Sequence, residues 1–264
     1  MSTEIATALV LRVVDFSESS CVVTLFTREF GKISGLAKGA RRPKGAFDSA
    51  LDLLCLCRVV FLRKSSEALD LLTEAKLLRR FRLCDNNLSR LYAGYYVAEL
   101  LSELTDEYDA HPLLFDTAER TLLRLGDGPS VGRSIAQFEL AALRILGHHP
   151  ALDQCADCGR KIRPGGRIPF AQTAGGVLCP RCRPRHTQVV QVSETVIQVL
   201  KQLTETKNDT LVPAEIDRRT GGELRGVLNH YMTRLLGRPP RLQRYLPAPT
   251  SNHDEAGKEA TNEP

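Results

Sequence analysis

The sequence predicts a multi-domain α+β protein, in which a small N-terminal β-barrel precedes a helical domain that carries an inserted four-cysteine module. Three observations lead to this fold class. The first eighty of the 264 residues hold five short β-type runs separated by turn residues. From about residue 85 onwards, apolar residues recur at helical spacing instead. Four cysteines in two C-x-x-C pairs then interrupt the helical part near its middle.

The five β-type runs fit one small barrel. Apolar residues alternate along the chain from Ile5 to Val13, and further short apolar or β-branched runs follow at 21–27, at 31–37, from Leu51 and from Leu69. Five strands within about eighty residues favour an OB-fold barrel over a β-sandwich, which usually has about seven strands or more. The run from Leu51 also fits a buried helix, because periodicity does not separate the two in short apolar runs.

Capping residues mark the ends of several predicted helices. Pro112 suits the first position of a helix, and Ser193 suits an N-cap. Thr220 and Glu223 form a T-x-x-E capping box, and Gly237 followed by two prolines ends that helix. The predicted helices cover residues 88–101, 112–126, 131–146, 194–203 and 220–237.

These elements divide the chain into five expected segments. Within the cysteine-rich segment, R-I-P-F-A from Arg167 predicts one short strand. The last segment is polar and almost free of apolar residues, so we expect it to be disordered. The segments are the OB-fold domain at 1–80, the first part of the helical domain at 81–150, the zinc-binding insert at 151–190, the second part of the helical domain at 191–246, and the tail at 247–264.

Composition places the protein among ordinary globular chains. Hydrophobic residues make up 42% and charged residues 25% of the sequence. No stretch approaches the roughly 18 apolar residues of a membrane helix, and the polar start shows no secretory signal. We therefore expect a cytoplasmic, nucleoid-associated protein with reduced cysteines and no membrane partner. The net charge of the chain is +5. Residues 1–80 and 151–250 carry a net positive charge, and residues 81–150 carry a net negative charge. This division into basic and acidic blocks suits a polyanionic or acidic partner.

Four of the eight cysteines have the spacing of a zinc ribbon: Cys155, Cys158, Cys179 and Cys182 follow the pattern C-x2-C, twenty residues, C-x2-C. Two intervening residues let both thiolates of one turn reach a tetrahedral ion at about 2.3 Å. We therefore expect one structural Zn²⁺, because four protein thiolates leave no open position for a reacting water. A thioredoxin-like redox pair and an iron–sulfur cluster are the alternatives.

A basic loop, A-K-G-A-R-R-P-K-G over residues 37–45, joins the third and fourth predicted strands. Lys38, Arg41, Arg42 and Lys44 crowd into seven residues without an acidic one. On an OB barrel such a loop forms an electrostatic track for a nucleic-acid backbone. Because aromatic residues are sparse in this domain, we expect affinity from phosphates with little base preference. The alternative is a solvated charged loop without a ligand.

Sequence motifs for enzymatic chemistry are absent. The chain contains no G-x-x-x-x-G-K-[ST], G-x-S-x-G or H-E-x-x-H pattern. We therefore expect a binding protein that is not an enzyme.

Several stretches stand in one colinear order between about residues 5 and 246. They are T-A-L-V-L-R from Thr7, V-T-L-F-T-R-E-F-G-K from Val23, the basic loop, Q-F-E-L-A-A-L-R-I-L-G from Gln137, P-A-L-D-Q-C-A-D-C-G from Pro150, and Y-M-T-R-L-L-G-R-P-P-R-L-Q-R-Y-L from Tyr231. In this combination the sequence resembles the RecO family of DNA repair proteins, which are recombination mediators. Near the C-terminus, Arg238, Arg241 and Arg244 form a second basic end, which departs from the family pattern. The resemblance assigns no role to these three residues.

The resemblance implies an OB domain, a helical domain and a zinc module. It also implies binding of single- and double-stranded DNA, annealing of complementary strands, and loading of the recombinase RecA onto strands covered by single-stranded-DNA-binding protein (SSB), with RecR as a partner. The DNA contacts of the family map here onto Arg12, Lys38, Arg41, Arg42 and Lys44. The family's binding site for the acidic C-terminal tail of SSB maps onto Arg133, Phe138 and Arg144 in the helical domain.

Two other functions compete with this one. A zinc-ribbon nucleic-acid adaptor would bind RNA or duplex DNA independently of SSB. A nuclease or redox enzyme would need an open metal position or a reactive thiol.

Overall fold

The computed structural model describes residues 2–42, 45–47, 50–64, 69–83, 87–128, 130–163, 165–205 and 216–250. The chain forms two compact units, one ending at Asp127 and one beginning at Gly128. The predicted domain bounds assign every helix after residue 80 to one helical domain, whereas the two units divide after Asp127. The predicted bounds stay a prediction. Along the described ranges, no helix is long and apolar enough to cross a membrane.

The first unit contains the predicted five-stranded barrel. Its strand order is β1-β2-β3-β5-β4, and β1 closes the barrel because it pairs with both β2 and β4. The β3–β5 pair is parallel and the other pairs are antiparallel. This five-stranded closed arrangement confirms the OB-fold prediction. The strands are β1 (Ser2–Asp15), β2 (Cys21–Thr27), β3 (Gly31–Ala37), β4 (Leu56–Arg63) and β5 (Asp70–Arg79).

Alternation along the strands builds the barrel core. Inward-facing residues such as Val10, Leu25 and Ile33 are completely buried, and Phe61 packs edge-on against Phe30 with ring centroids 5.6 Å apart. The run predicted from Leu51 is a strand and not a helix, but it begins five residues later, at Leu56. Leu54 explains the delay, because its φ of 62° lies in the left-handed region that a strand does not use.

Two helices, α1 (Leu88–Leu104) and α2 (Pro112–Asp127), complete the first unit. The segment between them is tied to β3: the Tyr108 N–H donates to the Lys32 carbonyl at 2.9 Å, and the Ser34 hydroxyl donates to Glu107 at 2.8 Å. Gly31 is required there for two reasons. Its φ is +72°, and a Cβ at this position would lie 1.9 Å from the Asp109 carbonyl oxygen.

The second unit combines three helices with a three-stranded sheet of order β7-β6-β8. Helix and sheet residues share one core, in which Phe170 packs with Leu140, Leu200 and Leu228. The strand predicted from Arg167 is confirmed as β6, whereas β7 and β8 were not predicted. The elements are α3 (Val131–Ile145), β6 (Arg167–Ala171), β7 (Gly176–Val177), β8 (Val189–Ser193), α4 (Glu194–Glu205) and α5 (Arg218–Leu236).

The caps of α4 and α5 differ in how well they were predicted. The Ser193 hydroxyl accepts from the Val196 N–H at 3.4 Å, as the predicted N-cap should. The predicted T-x-x-E box at Thr220 is wrong, because Asp217 caps α5 and accepts from the Thr220 N–H at 2.7 Å. Glu223 instead accepts from the backbone N–H and the hydroxyl of Ser193, both at 2.9 Å.

An ion pair and the end of the described chain lie inside the second unit. Arg225 donates to Glu139 at 2.6 Å, and both side chains are buried.

Pro249 and Thr250 are also buried, although they belong to the tail expected to be disordered. The rest of that tail, 251–264, lies outside the described residues.

Candidate metal centre and nucleic-acid surface

Two tight turns carry the four cysteines of the insert. In the first, the Gly159 N–H donates to the Cys155 carbonyl at 2.8 Å, and Gly159 adopts a φ of +70° that lets the chain fold back. In the second, the Cys182 N–H donates to the Cys179 carbonyl at 3.1 Å. The turns are joined directly, since the Cys179 N–H donates to the Cys155 sulfur at 3.4 Å.

The four sulfurs have the spacing that a tetrahedral ion requires. All of them lie within 4.8 Å of one another, and the Cys158 and Cys179 sulfurs are 3.8 Å apart. With metal–sulfur bonds of about 2.3 Å, neighbouring sulfurs of a tetrahedron are separated by about 3.8 Å. The predicted ligand set therefore fits one metal ion, with Cys158 exposed and the other three cysteines buried.

Backbone hydrogen bonds favour the thiolate form at this cluster. Burial opposes ionisation of Cys155, but the N–H groups of Cys179, Cys158 and Asp157 lower its pKa to about 6. The pKa of Cys179 is also lowered, chiefly by the N–H of Cys182. The pKa of Cys182 is raised instead, by burial and by its hydrogen bonds to the neighbouring cysteines. Metal ligands must be deprotonated, and the backbone N–H groups favour that form at Cys155 and Cys179.

The three described cysteines outside the cluster all have raised pKa values. Burial raises the pKa of Cys21 and Cys55, and it raises the pKa of Cys57 to about 12. These thiols stay neutral and pack as small apolar side chains. Cys84 lies outside the described residues.

The predicted DNA-binding residues of the barrel are solvent-exposed. Arg12 follows a bulge in β1 between Val10 and Arg12, and Lys38, Arg41 and Arg42 begin the basic loop directly after β3. Arg41 forms an ion pair with Asp15 at 2.9 Å in which both side chains are exposed. Lys44 lies outside the described residues.

The structure separates the three residues predicted to bind the SSB tail. Phe138 is only 1% exposed and Arg133 only 8% exposed, so both belong to the interior of the second unit. Arg144 is exposed in the last turn of α3, where it donates to the Thr204 carbonyl at 3.2 Å. The assignment stays a prediction. Of the three side chains, Arg144 is the one that is exposed and can be reached by a partner.

Two further basic surfaces were left open by the sequence: the cations of the insert fit either a solvated surface or phosphate contact, and contact of the basic end with DNA was undecided. The insert exposes seven cations around the cysteine cluster: Arg160, Lys161, Arg163, Arg167, Arg181, Arg183 and Arg185. At the end of the second unit Arg238, Arg241 and Arg244 are exposed, and the Arg244 guanidinium lies 4.9 Å from the ring centroid of the half-exposed Tyr245.

Both halves of the chain match models of a known protein family. Residues 1–81 match the model described as recombination protein O N terminal, and residues 85–244 match recombination protein O C terminal. A protein of Rhodopirellula baltica named DNA repair protein RecO is 40% identical, covering 91% of this chain and 97% of its own. Proteins of the same name from Myxococcus xanthus (36%; 88% and 91% covered) and Anaeromyxobacter sp. strain Fw109-5 (34%; 91% and 94% covered) are also similar.

Proposed function

This chain belongs to the RecO family, and from that premise we propose that it is a mediator of DNA repair and homologous recombination. It binds single- and double-stranded DNA, anneals complementary strands and helps to load a recombinase onto single strands covered by SSB. The observation that carries the proposal is the closed OB barrel with Arg12 and an exposed basic loop on its surface. Its place of action is the cytoplasm, at the nucleoid, where the DNA lies.

Annealing by this protein requires no bond chemistry, so we assign it no enzymatic activity. Lys38, Arg42 and Arg12 contact phosphates, with Arg41 and Lys44 as neighbours in the same loop. Cations placed along a backbone screen the repulsion between two phosphate chains and raise the local concentration of complementary strands. Base pairing then supplies the sequence specificity.

The helical part supplies the contact with SSB. The exposed guanidinium of Arg144 is the side chain that meets the acidic C-terminal tail of SSB, while Phe138 and Arg133 support helix α3 from the interior. RecR is the second protein partner, in line with the family.

The cysteine cluster would hold one Zn²⁺ through Cys155, Cys158, Cys179 and Cys182. The four thiolates within 4.8 Å of one another support this ion, and a site closed by four sulfurs has a structural role. It keeps the two cysteine turns together beside the core of the second unit.

Annealing of two complementary oligonucleotides precoated with the cognate SSB tests the mediator function. A parallel reaction uses SSB without its acidic tail, and a third uses the variant Arg144→Glu. The matched control is Arg234→Glu, which reverses another exposed arginine in the last turn of a helix of the same unit.

We expect fast annealing on coated strands, a loss when the tail is deleted, a loss with Arg144→Glu, and normal rates with Arg234→Glu. If the protein binds nucleic acid in low salt but never anneals coated strands, the zinc-ribbon adaptor is the better assignment. Equal rates for the two arginine variants would remove Arg144 from the SSB contact while leaving the mediator function in place.

A further inference from the structure

Phe16 is exposed in a way that sets it apart from the other phenylalanines. The chain has nine of them, all within the described residues, and the other eight are buried or half-buried. Phe16 is 65% exposed in the turn between β1 and β2. That turn is closed by its backbone, because the Phe16 N–H donates to the Ser20 carbonyl at 3.0 Å. The ring therefore contributes little to the stability of the turn.

The turn is fastened to the basic loop. The Arg41 N–H donates to the Ser19 carbonyl at 3.2 Å, and the Gly39 N–H donates to the Ser20 hydroxyl at 3.4 Å. These bonds hold an exposed aromatic residue and the cationic loop in one local structure.

Between the turn and the loop lies an open cavity of about 330 Å³. Phe16 and Leu36 provide its apolar lining, and Lys38 and Arg42 line it with cationic side chains. This volume is at the lower end of the range for ligand sites, about 300–1,000 Å³. A single exposed aromatic residue is common on protein surfaces, but one that shares a cavity with two cations has the parts of a nucleotide site.

We propose that this cavity is a nucleotide site for single-stranded DNA, in which Phe16 stacks on one base while Lys38 and Arg42 contact the flanking phosphates. The inference rests on the proposed function and deepens it. A base within a duplex is already stacked on both faces, so the ring engages unpaired bases and favours single strands over duplex. Stacking is tolerant of sequence, because every base has a π-face.

This site differs from the phosphate-only binding that the sequence predicts. A phosphate track holds a single strand about equally well whether its bases are present or removed. A stacking residue loses its contribution when the base is absent.

The absence of tryptophan from the chain makes the inference directly measurable. Phe16→Trp introduces the single tryptophan of the protein, whose fluorescence is followed during titration with oligo(dT), with an abasic oligonucleotide of equal length, and with a blunt duplex. Leu113→Trp is the matched control, since Leu113 is 67% exposed on α2 and is not among the residues that line the cavity.

We expect oligo(dT) to quench the fluorescence of the Phe16→Trp variant strongly and the abasic strand to leave it nearly unchanged, whereas the Leu113→Trp signal should respond to neither. Phe16→Ala should bind oligo(dT) on the order of 5- to 150-fold more weakly, with unchanged binding of the abasic strand, while Phe16→Tyr should retain the affinity of the wild type. Melting temperatures verify that the variants fold.

Two other outcomes are informative in different ways. If Phe16→Ala binds oligo(dT) as the wild type does while Lys38→Ala binds weakly, the stacking site is overturned and the proposed function survives. If the wild type binds no DNA even in low salt, both proposals fall together.

Discussion

Replacing Lys38 by alanine should reduce the salt dependence of single-strand binding by an amount that follows from the structure. Three exposed cations of the proposed DNA-binding set, Arg12, Lys38 and Arg42, are assigned to phosphates, whereas Arg41 is paired with Asp15 at 2.9 Å. Each phosphate contact on a single strand contributes about −0.7 to the slope of log K against log salt. The three contacts therefore contribute about −2.1 to the wild-type slope, and the two that remain in Lys38→Ala contribute about −1.4.

The corresponding affinities separate clearly in an ordinary titration. Between about 50 and 200 mM salt, a slope of about −2.1 lowers the affinity by about 18-fold, and a slope of about −1.4 lowers it by about 7-fold. Fluorescence anisotropy with a labelled oligo(dT) at four or five salt concentrations measures both slopes.

Arg28→Ala is the control, because Arg28 is an exposed barrel cation that is already neutralised. Its guanidinium donates to both carboxylate oxygens of Asp116 at 2.8 and 3.1 Å, and this hydrogen-bonded pairing holds the pKa of Asp116 below its usual range. The slope of Arg28→Ala should equal that of the wild type. The basic loop would lose its assigned role if both variants shifted the slope equally, or if Lys38→Ala did not shift it.

Three further predictions concern the interior of the two units. One equivalent of zinc should copurify with the wild type and with Cys57→Ser but be lost from Cys179→Ser, as atomic absorption would report; zinc retained by Cys179→Ser would contradict the ligand set. Arg225→Ala should lower the free energy of unfolding by about 3–5 kcal/mol, because it removes the guanidinium that donates to the buried Glu139 carboxylate at 2.6 Å, and a denaturant-measured loss below about 1 kcal/mol would refute this. Iodoacetamide should not label Cys57 in the folded protein at pH 8, because the side chain is completely buried, burial raises its pKa to about 12 and the thiolate is the reactive form; rapid labelling of Cys57 before denaturant is added would contradict this.

The sequence predicted those features whose signal is local and periodic. The barrel strands alternate because one face of each is the core, and the cysteine spacing is set by the reach of two turns around one ion. The start of α5 was placed wrongly because two capping solutions, Asp217 and the Thr220–Glu223 box, lie within one turn of helix. Glu223 does not cap α5 because it accepts hydrogen bonds from Ser193 at the end of β8. The sequence does not show that the fold brings Ser193 next to Glu223.

Exposure was harder to predict than secondary structure. The sequence predicts a helix over 131–146 but does not show how much of its surface is covered. In the structure α3 is buried along most of its first three turns, and this places Arg133 and Phe138 inside. Phe16 shows the reverse case. Its place next to Lys38 and Arg42 depends on the pairing of β1, β2 and β3, which brings together residues more than twenty positions apart.

The core around the four cysteines is small, and this supports the proposed structural metal. The residues buried with the four-cysteine turns are Ala171, Leu178 and three of the cysteines themselves, and Ile162, Ala174 and Val189 pack against them while partly buried. Ordering a residue costs about 1.5 kcal/mol in conformational entropy, which so few apolar side chains do not offset for turns of this length. By contrast, Phe170 and Val192 on β6 and β8 belong to the larger core of the helices. The proposed metal would therefore stabilise the two turns and not the sheet, so its removal should release the exposed cations of the insert without unfolding α4 and α5.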